Sequence, residues 1–317
     1  MKNFMFSMRA LSSVHCGVGS GANDIDLPTA RHPVSGHPVV PGSSLKGVLK
    51  DEFKSGQFAV GVEPIKLDAL FGADSSGDNE FASAISLGDA QLLALPVRSY
   101  FGTFAYLASP FTLQMFKNQR ERLGETTFPA IPIIGKSDPK NPYYKVVVSP
   151  DSVLRENGTQ TNVLLEANVL LEELDLIADL TQEELASRWA ELLAPLFWDD
   201  AESQGYFKQK FAIVEDNVLN FLCETALPVE AHIAIDEQTG TVKPGALWYQ
   251  ESIPSETLFT GIVTVDRSFH AGCKASAEDL ASILVEGNKP LHFQIGGKST
   301  TGKGFVRLVF KAAQGGK

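Results

Sequence analysis

Residues 24–50 read DIDLPTARHPVSGHPVVPGSSLKGVLK and put an acid, a Pro-bounded loop and a helix start in one short stretch. A loop carboxylate can take a proton from a nucleophile or hold a divalent cation. A helix N-terminus offers free N–H groups to an anion, and here Ser43, Ser44 and Lys46 would add two hydroxyls and a positive charge. Together these are the parts needed to hold a phosphodiester beside a catalytic group. Asp24 and Asp26 lie two residues apart, so in extended chain they point to opposite faces and do not chelate one ion together. Either Asp24 or Asp26 would therefore act alone, as a proton acceptor or as a single ligand to a divalent cation. His15 sits in a loop eleven positions before Asp26; a lone loop histidine is more often a surface hydrogen-bonding group, and only Asp26 gives it interest. His32 and His37 flank prolines without HxH or HExxH spacing, which argues against a fixed metal cage.

Near the C-terminus, GKSTTGK at 297–303 satisfies GxxxxGK, but Gly304 stands where the Mg²⁺-binding Ser or Thr should be. A strand-like FVRLVF follows where a nucleotide-binding loop requires a helix. Nucleotide hydrolysis is thus disfavoured. The remaining readings are a flexible hairpin tip, or a turn whose backbone amides at Gly297, Ser299 and Thr300, with Lys298 and Lys303, meet an RNA backbone. Trp248 and Tyr249 could stack on bases or belong to a core.

Periodicity predicts the supporting elements. A first strand is expected over 3–11, and a helix over 43–54 with Ser43 or Ser44 as N-cap. A second helix is expected from Thr181, with a Thr181/Glu184 capping box, and a third over 276–286, opened by Ser276 and Asp279 and ended by Gly287. Strand patterns cover 84–95, 97–107, 229–235, 258–265, 291–295 and 304–310. Residues 231–247 resemble a hairpin with its tip at 237–240. The Lys-, Pro- and Gly-rich stretch 116–152 reads as an irregular excursion. Strand and helix early, helix and strand late, and β-rich material between predict an α+β fold: a ferredoxin-like (RRM-like) palm with large β-rich insertions.

The 317 residues suit one domain with large insertions, or two domains. No apolar run reaches the ~20 residues of a membrane span, and the N-terminus lacks a signal-peptide pattern. Cys16, Cys223 and Cys273 are scattered, which argues against a disulfide scaffold and fits a reducing cytoplasm. The net charge of −11 opposes nucleic-acid binding, which rests on Lys and Arg. Its distribution softens that objection. Five cations and no acid follow Pro290, whereas residues 166–202 hold eleven carboxylates against Arg188 alone. The acidic segment is expected on the outer side or against basic neighbouring subunits.

Several separated blocks resemble one family. They are VHCGVGSG at 14–21, DLPTARHPVSGHPVVPGSSLKGVLK at 26–50 and SLGDAQLLALPVRSYFGTFAYLASP at 86–110, then HIAIDEQTGTVKPGALWYQESIP at 232–254 and IGGKSTTGKGFVRL at 295–308. In this order they are similar to the repeating backbone subunit of the type III-B CRISPR (Cmr) RNA-targeting complex, a branch of the RAMP superfamily. The resemblance implies a single RAMP domain with its palm at about 1–60 and 258–317, and insertions with a protruding thumb hairpin between about 61 and 257. It also implies copies stacked along a CRISPR RNA with other Cmr subunits, each thumb kinking the guide–target duplex. Single-stranded target RNA would be cut at regular intervals, with Asp26 as the acid, His15 beside it, Lys46 on a guide phosphate and Glu251 in a region of implicated acids. The 2′-OH of RNA would be the nucleophile and a 2′,3′-cyclic phosphate the product. A non-catalytic scaffold of the same assembly and a stand-alone CRISPR RNA-processing endoribonuclease are the competing readings.

Overall fold

The computed structural model describes residues 1–19, 25–59, 61–73, 81–135, 143–155, 168–285 and 289–312. The chain opens with strand β1 (Lys2–Ala10), then β2 (Val39–Val40), helix α1 (Gly42–Lys54) and helix α2 (Pro64–Phe71). Strands β3 (Ile85–Leu87), β4 (Ala90–Arg98) and β5 (Phe104–Ala108) follow, then α3 (Pro110–Glu121), β6 (Tyr144–Val148), β7 (Asn168–Leu171) and β8 (Leu174–Ala178). Next come α4 (Glu183–Phe197), α5 (Ala201–Lys210), β9 (Phe211–Val214) and α6 (Asp216–Thr225). The last part holds the hairpin β10 (Val229–Ile235) and β11 (Val242–Glu251), then β12 (Leu258–Val265), α7 (Ala277–Val285), β13 (Leu291–Gln294) and β14 (Phe305–Ala312).

Twelve strands form one mostly antiparallel sheet in the order β13-β14-β1-β12-β4-β5-β9-β6-β8-β7, with β2 on β4 and β3 on β12; β10 and β11 form a separate pair. The fold is α+β. β1 lies between β14 and β12, antiparallel to both. Its alternation therefore serves two cores. Phe4, Phe6 and Met8 pack with Leu45, Leu49 and Phe53 of α1 and with Leu280 of α7. Met5 joins the opposite core, built on Phe116 of α3, Trp189 of α4 and Phe207 of α5.

Several local expectations need correction. The N-cap of α1 is Pro41, without a side-chain cap, rather than Ser43 or Ser44. The Asp89 carboxylate instead reaches across from the residue before β4 and accepts the Gly42 N–H at 2.8 Å. Helix α4 begins at Glu183, because the Thr181 hydroxyl turns back to Asp179 Oδ1 at 2.6 Å instead of capping. At α7, Ser276 and Asp279 do bond reciprocally; Gly287 lies outside the described residues.

The stretch 116–152 is not irregular throughout, since it holds half of α3 and all of β6. A Ser109/Thr112 capping box followed by Pro110 starts α3. The break expected near residue 96 is also displaced, and Pro96 sits inside β4, paired with Tyr106. Pairing of β4 to β12 ends at Ala94, so the missing proline N–H forfeits no bond on that side. Among the described residues no helix is long and apolar enough to cross a membrane.

Candidate nucleic-acid interface

Strand β11 organises the site. Its outer part stands in the exposed hairpin, whose tip is closed by Asp236 accepting the N–H groups of Gln238 and Thr239. Its base is buried, with Gln250 and Glu251 at 0% and 3% exposure. The loop leading from Asp26 runs along this base. Leu27 N–H donates to the Tyr249 carbonyl and Glu251 N–H donates to the Leu27 carbonyl, each at 3.0 Å. Asp26 itself is exposed, and its Oδ2 accepts the Tyr249 N–H at 2.7 Å. That bond orients the carboxylate and leaves Oδ1 without a protein hydrogen bond among the described residues. Asp24 lies outside the described residues.

His15 comes to the same strand. Val14 and Ile253 exchange backbone hydrogen bonds at 2.8 and 2.9 Å, and His15 Nδ1 lies 2.7 Å from the Glu251 carbonyl. A carbonyl oxygen only accepts, so Nδ1 carries a proton, and in the neutral tautomer this leaves the lone pair on Nε2. His15 is buried at 6% exposure and not a surface group, and a side chain on Gly17 would bring its Cβ to 2.8 Å from that Nε2. Asp26 and His15 thus bond positions 249 and 251, about 7 Å apart along one strand.

Glu251 sits differently. Its Oε1 pairs with Arg31 Nη2 at 2.6 Å and its Oε2 accepts the Thr29 N–H at 3.0 Å. The carboxylate is consumed inside the protein.

The Gly-rich loop packs on His15 from the other side. Gly297 N–H donates to the His15 carbonyl at 2.9 Å. Gly296 has φ +85°, and a Cβ there would run into the same carbonyl. Its glycine is thus needed by the backbone contact. Gly296→Ala is expected to cost roughly 2–3 kcal/mol from strain plus collision, read by thermal unfolding. Gly302 has φ +81° with open space around it, so Gly302→Ala should cost only about 1 kcal/mol.

Ser299 and Thr300 lie in an exposed 3-10 turn (Ser299–Thr301). Lys298 extends over the Trp248 ring, 5.9 Å from its centroid, and His232 stacks on that ring at 5.6 Å. Trp248 is thus partly covered by these two side chains, while Tyr249 is 41% exposed. Lys303 pairs with Glu230 at 2.8 Å and donates to Ser252 Oγ at 3.2 Å.

The C-terminal cations do not form one basic strip. Arg307 is 7% exposed and chelates Asp199 with bonds of 2.7 and 2.8 Å, and Lys311 donates to the Pro195 carbonyl; Lys317 lies outside the described residues. The acidic segment is partly neutralised in the same way: Glu172 holds Arg98, Glu183 holds Arg155 and Asp179 lies near Lys145.

The first turn of α1 is a distinct part of this surface. Ser43 is exposed and Ser44 half-buried, while Lys46 Nζ donates to Ser83 Oγ at 2.6 Å. Burial, and then neighbouring Lys50, lower the Lys46 pKa; an added anion would relieve both. Arg31, Thr29 and His232 are the site residues that sequence reading missed. Their partners lie some 200 positions away or across a hairpin register, and no local spacing signals either.

Among the described residues no three His, Cys, Asp or Glu side chains converge on a metal position. Asp26 Oδ1 offers one ligand. That suits an ion of the Mg²⁺ type, which commonly takes one or two carboxylates and completes its shell with substrate phosphates and water.

The sequence matches the RAMP superfamily over residues 7–307. The chain belongs to this superfamily. Among relatives of this RAMP protein, the CRISPR system Cmr endoribonuclease Cmr4 of Pyrococcus furiosus is 30% identical over 313 residues, covering 98% of this chain and 96% of that one. The CRISPR system CMR subunit Cmr4 of Saccharolobus solfataricus is 26% identical over 316 residues, covering 96% and 94%. The crystal structure of oligomeric Cmr4 from Pyrococcus furiosus superposes with a TM-score of 0.71 at 27% identity, covering 99% of this chain and all of that one. The identity and coverage place this RAMP protein in the Cmr4 family.

Proposed function

We propose that this chain is the guide-bearing backbone subunit of a cytoplasmic type III-B Cmr effector complex. Copies polymerise along a CRISPR RNA, beside other Cmr subunits, and each cuts complementary target RNA once, so that cuts recur at regular spacing. The observation that carries this reading is the exposed Asp26 carboxylate, aligned by Tyr249 N–H at the base of a protruding hairpin. The likeness over nearly the whole chain to an endoribonuclease and to an oligomeric relative supports it. We also read the strand order β14-β1-β12-β4, with α1 following β1 and α7 following β12, as the ferredoxin-like palm of a single RAMP domain. In this reading the β10–β11 hairpin is the thumb, and the acidic segment faces away from RNA.

The chemistry follows from the parts. RNA brings its own nucleophile. A kinked backbone that puts the 2′-OH in line with its phosphate supplies much of the acceleration through orientation. Asp26 Oδ1 accepts the 2′ proton as the 2′ oxygen bonds to phosphorus. The bond to the 5′ oxygen breaks, that oxygen takes a proton from solvent water, and the products are a 2′,3′-cyclic phosphate and a 5′-hydroxyl. Where Mg²⁺ or Mn²⁺ binds, Asp26 Oδ1 would instead hold the ion together with phosphate oxygens, the ion would stabilise the developing charge, and solvent would take the 2′ proton.

His15, with its lone pair on Nε2, stands beside the path and shapes or assists the transfer. Gly17→Ala should crowd that nitrogen and slow cutting about tenfold at unchanged guide affinity, measured by single-turnover cleavage. Lys46, Ser43 and Ser44 take the guide backbone in this scheme. Lys298, the amides of Ser299 and Thr300, Lys303 and the Trp248–Tyr249 edge take the strand near the thumb, whereas the Gly297 amide, expected to join them, is spent on the His15 carbonyl.

The deciding experiment assembles the complex on guide RNA and offers a complementary target with and without EDTA. Evenly spaced products that vanish with EDTA are expected. A bound but intact target would make the chain a scaffold, and cutting of precursor CRISPR RNA by the isolated chain would favour a processing enzyme.

A further inference from the structure

Arg31 is where the Asp26 loop, the hairpin base and helix α6 meet. Its Nη2 pairs with Glu251, and its Nη1 donates to the carbonyls of Gly36 and Cys223, both at 3.0 Å. Glu251 in turn takes the Thr29 N–H, while its own backbone carbonyl holds His15 Nδ1. One guanidinium therefore ties residues 29–36, the C-terminal turn of α6 and the last residue of β11 into a single brace.

We infer that Arg31 is a positioning residue for RNA cleavage, holding Glu251 against the loop so that Asp26 stays on Tyr249 N–H and His15 on the Glu251 carbonyl. The inference rests on the functional reading above. Asp26 is exposed and bonded by one oxygen, and residues 16–18 of the loop before it pair with residues 28–30 after it, Ala30 N–H donating to the Cys16 carbonyl at 2.7 Å. Beyond those pairs, the later residues of the loop reach the hairpin base through the Leu27 backbone pair, Thr29 on Glu251, and Arg31 on Glu251. Two of these ties to the hairpin base end on the same carboxylate, which Arg31 neutralises and orients. Both Arg31 terminal nitrogens are engaged within the protein, so the group has little left to offer RNA. Its three acceptors lie in different directions, which the planar fork of a guanidinium can serve and the point charge of a lysine cannot. Glu251 belongs to the same brace; its part in cleavage is to position, not to meet the scissile phosphate.

The test uses the complex assembled on guide RNA, with single-turnover cutting measured beside guide and target affinity. Arg31→Ala should slow cutting about 100-fold, the effect of a small misplacement at a reacting centre, with both affinities within about twofold of wild type. Arg31→Lys, which keeps the charge and guards against a folding failure, should slow it at least tenfold. Guanidinium ion at tens of millimolar should restore part of the Arg31→Ala rate and none of an Asp26→Asn rate. Wild-type cutting by Arg31→Lys and Arg31→Ala beside a silent Asp26→Asn would overturn the inference alone. A loss explained by weakened guide or target affinity would make Arg31 an RNA contact and overturn it too. Wild-type cutting by Asp26→Asn would overturn the functional reading, and this inference with it.

Discussion

Target RNA should stay bound and uncut when every copy of the subunit in the complex carries Asp26→Ala. A positioned proton acceptor contributes about 10²–10⁴-fold to such a transfer, and Asp26 is an exposed acid that the fold orients at the hairpin base. Binding should not suffer, because the carboxylate adds negative charge beside a polyanion and its removal relieves repulsion. The direction is therefore diagnostic: target affinity equal or slightly tighter, cutting lost. Asp26→Asn separates charge from shape, since its amide oxygen can still accept the Tyr249 N–H. Both variants should be silent if the charge does the chemistry. If Asn retains the wild-type rate, the carboxylate serves only to shape the loop. Gel-resolved target cleavage with a parallel filter-binding titration distinguishes these results.

Glu251→Ala should produce the largest loss of stability among changes in the site. The substitution strands a partly buried guanidinium and leaves the Thr29 N–H without its acceptor. Removing one partner of a buried pair costs about 3–5 kcal/mol, and the 27% exposure of the Arg31 side chain reduces that to roughly 2–4 kcal/mol. For a chain of this size the melting temperature should fall by roughly 3–6 °C. Glu251→Gln keeps an acceptor for Thr29 and should lose about half as much. A melting temperature for Glu251→Ala within about 1 °C of wild type would mean that solvent, and not Arg31, is the real partner of this carboxylate.

The two effects fall on two acids that residue spacing alone does not rank. Asp26 and Glu251 both lie beside β-type segments with aromatic or proline neighbours. Their environments rank them. Asp26 keeps one oxygen outward, whereas Glu251 spends both oxygens on partners 220 and 222 positions away. The same holds for the cations of the C-terminal stretch, which composition groups as one strip. Lys298 and Lys303 turn to the hairpin, while Arg307 and Lys311 are tied to the α4–α5 turn and to α4 itself.

What the chain declares locally is what depends on short-range physics. The α1 stripe, the Ser276/Asp279 start of α7, the turn of the hairpin and the failure of GKSTTGK as a nucleotide loop were all legible, because helix period, capping and turn chemistry act within a few residues. The α+β class and the family blocks were legible for the same reason. Helix α3 and strand β6 were missed because a composition rich in Lys, Pro and Gly masked a capping box just before it. Thr181 was misread as a cap because a hydroxyl chooses among nearby acceptors, and Asp179 won. The arrangement of Asp26, His15, Arg31 and Glu251 as one assembly needed the tertiary structure. Loop closure over more than 200 residues decides which carboxylate is sealed against an arginine and which is left facing solvent, and no spacing along the chain encodes that choice.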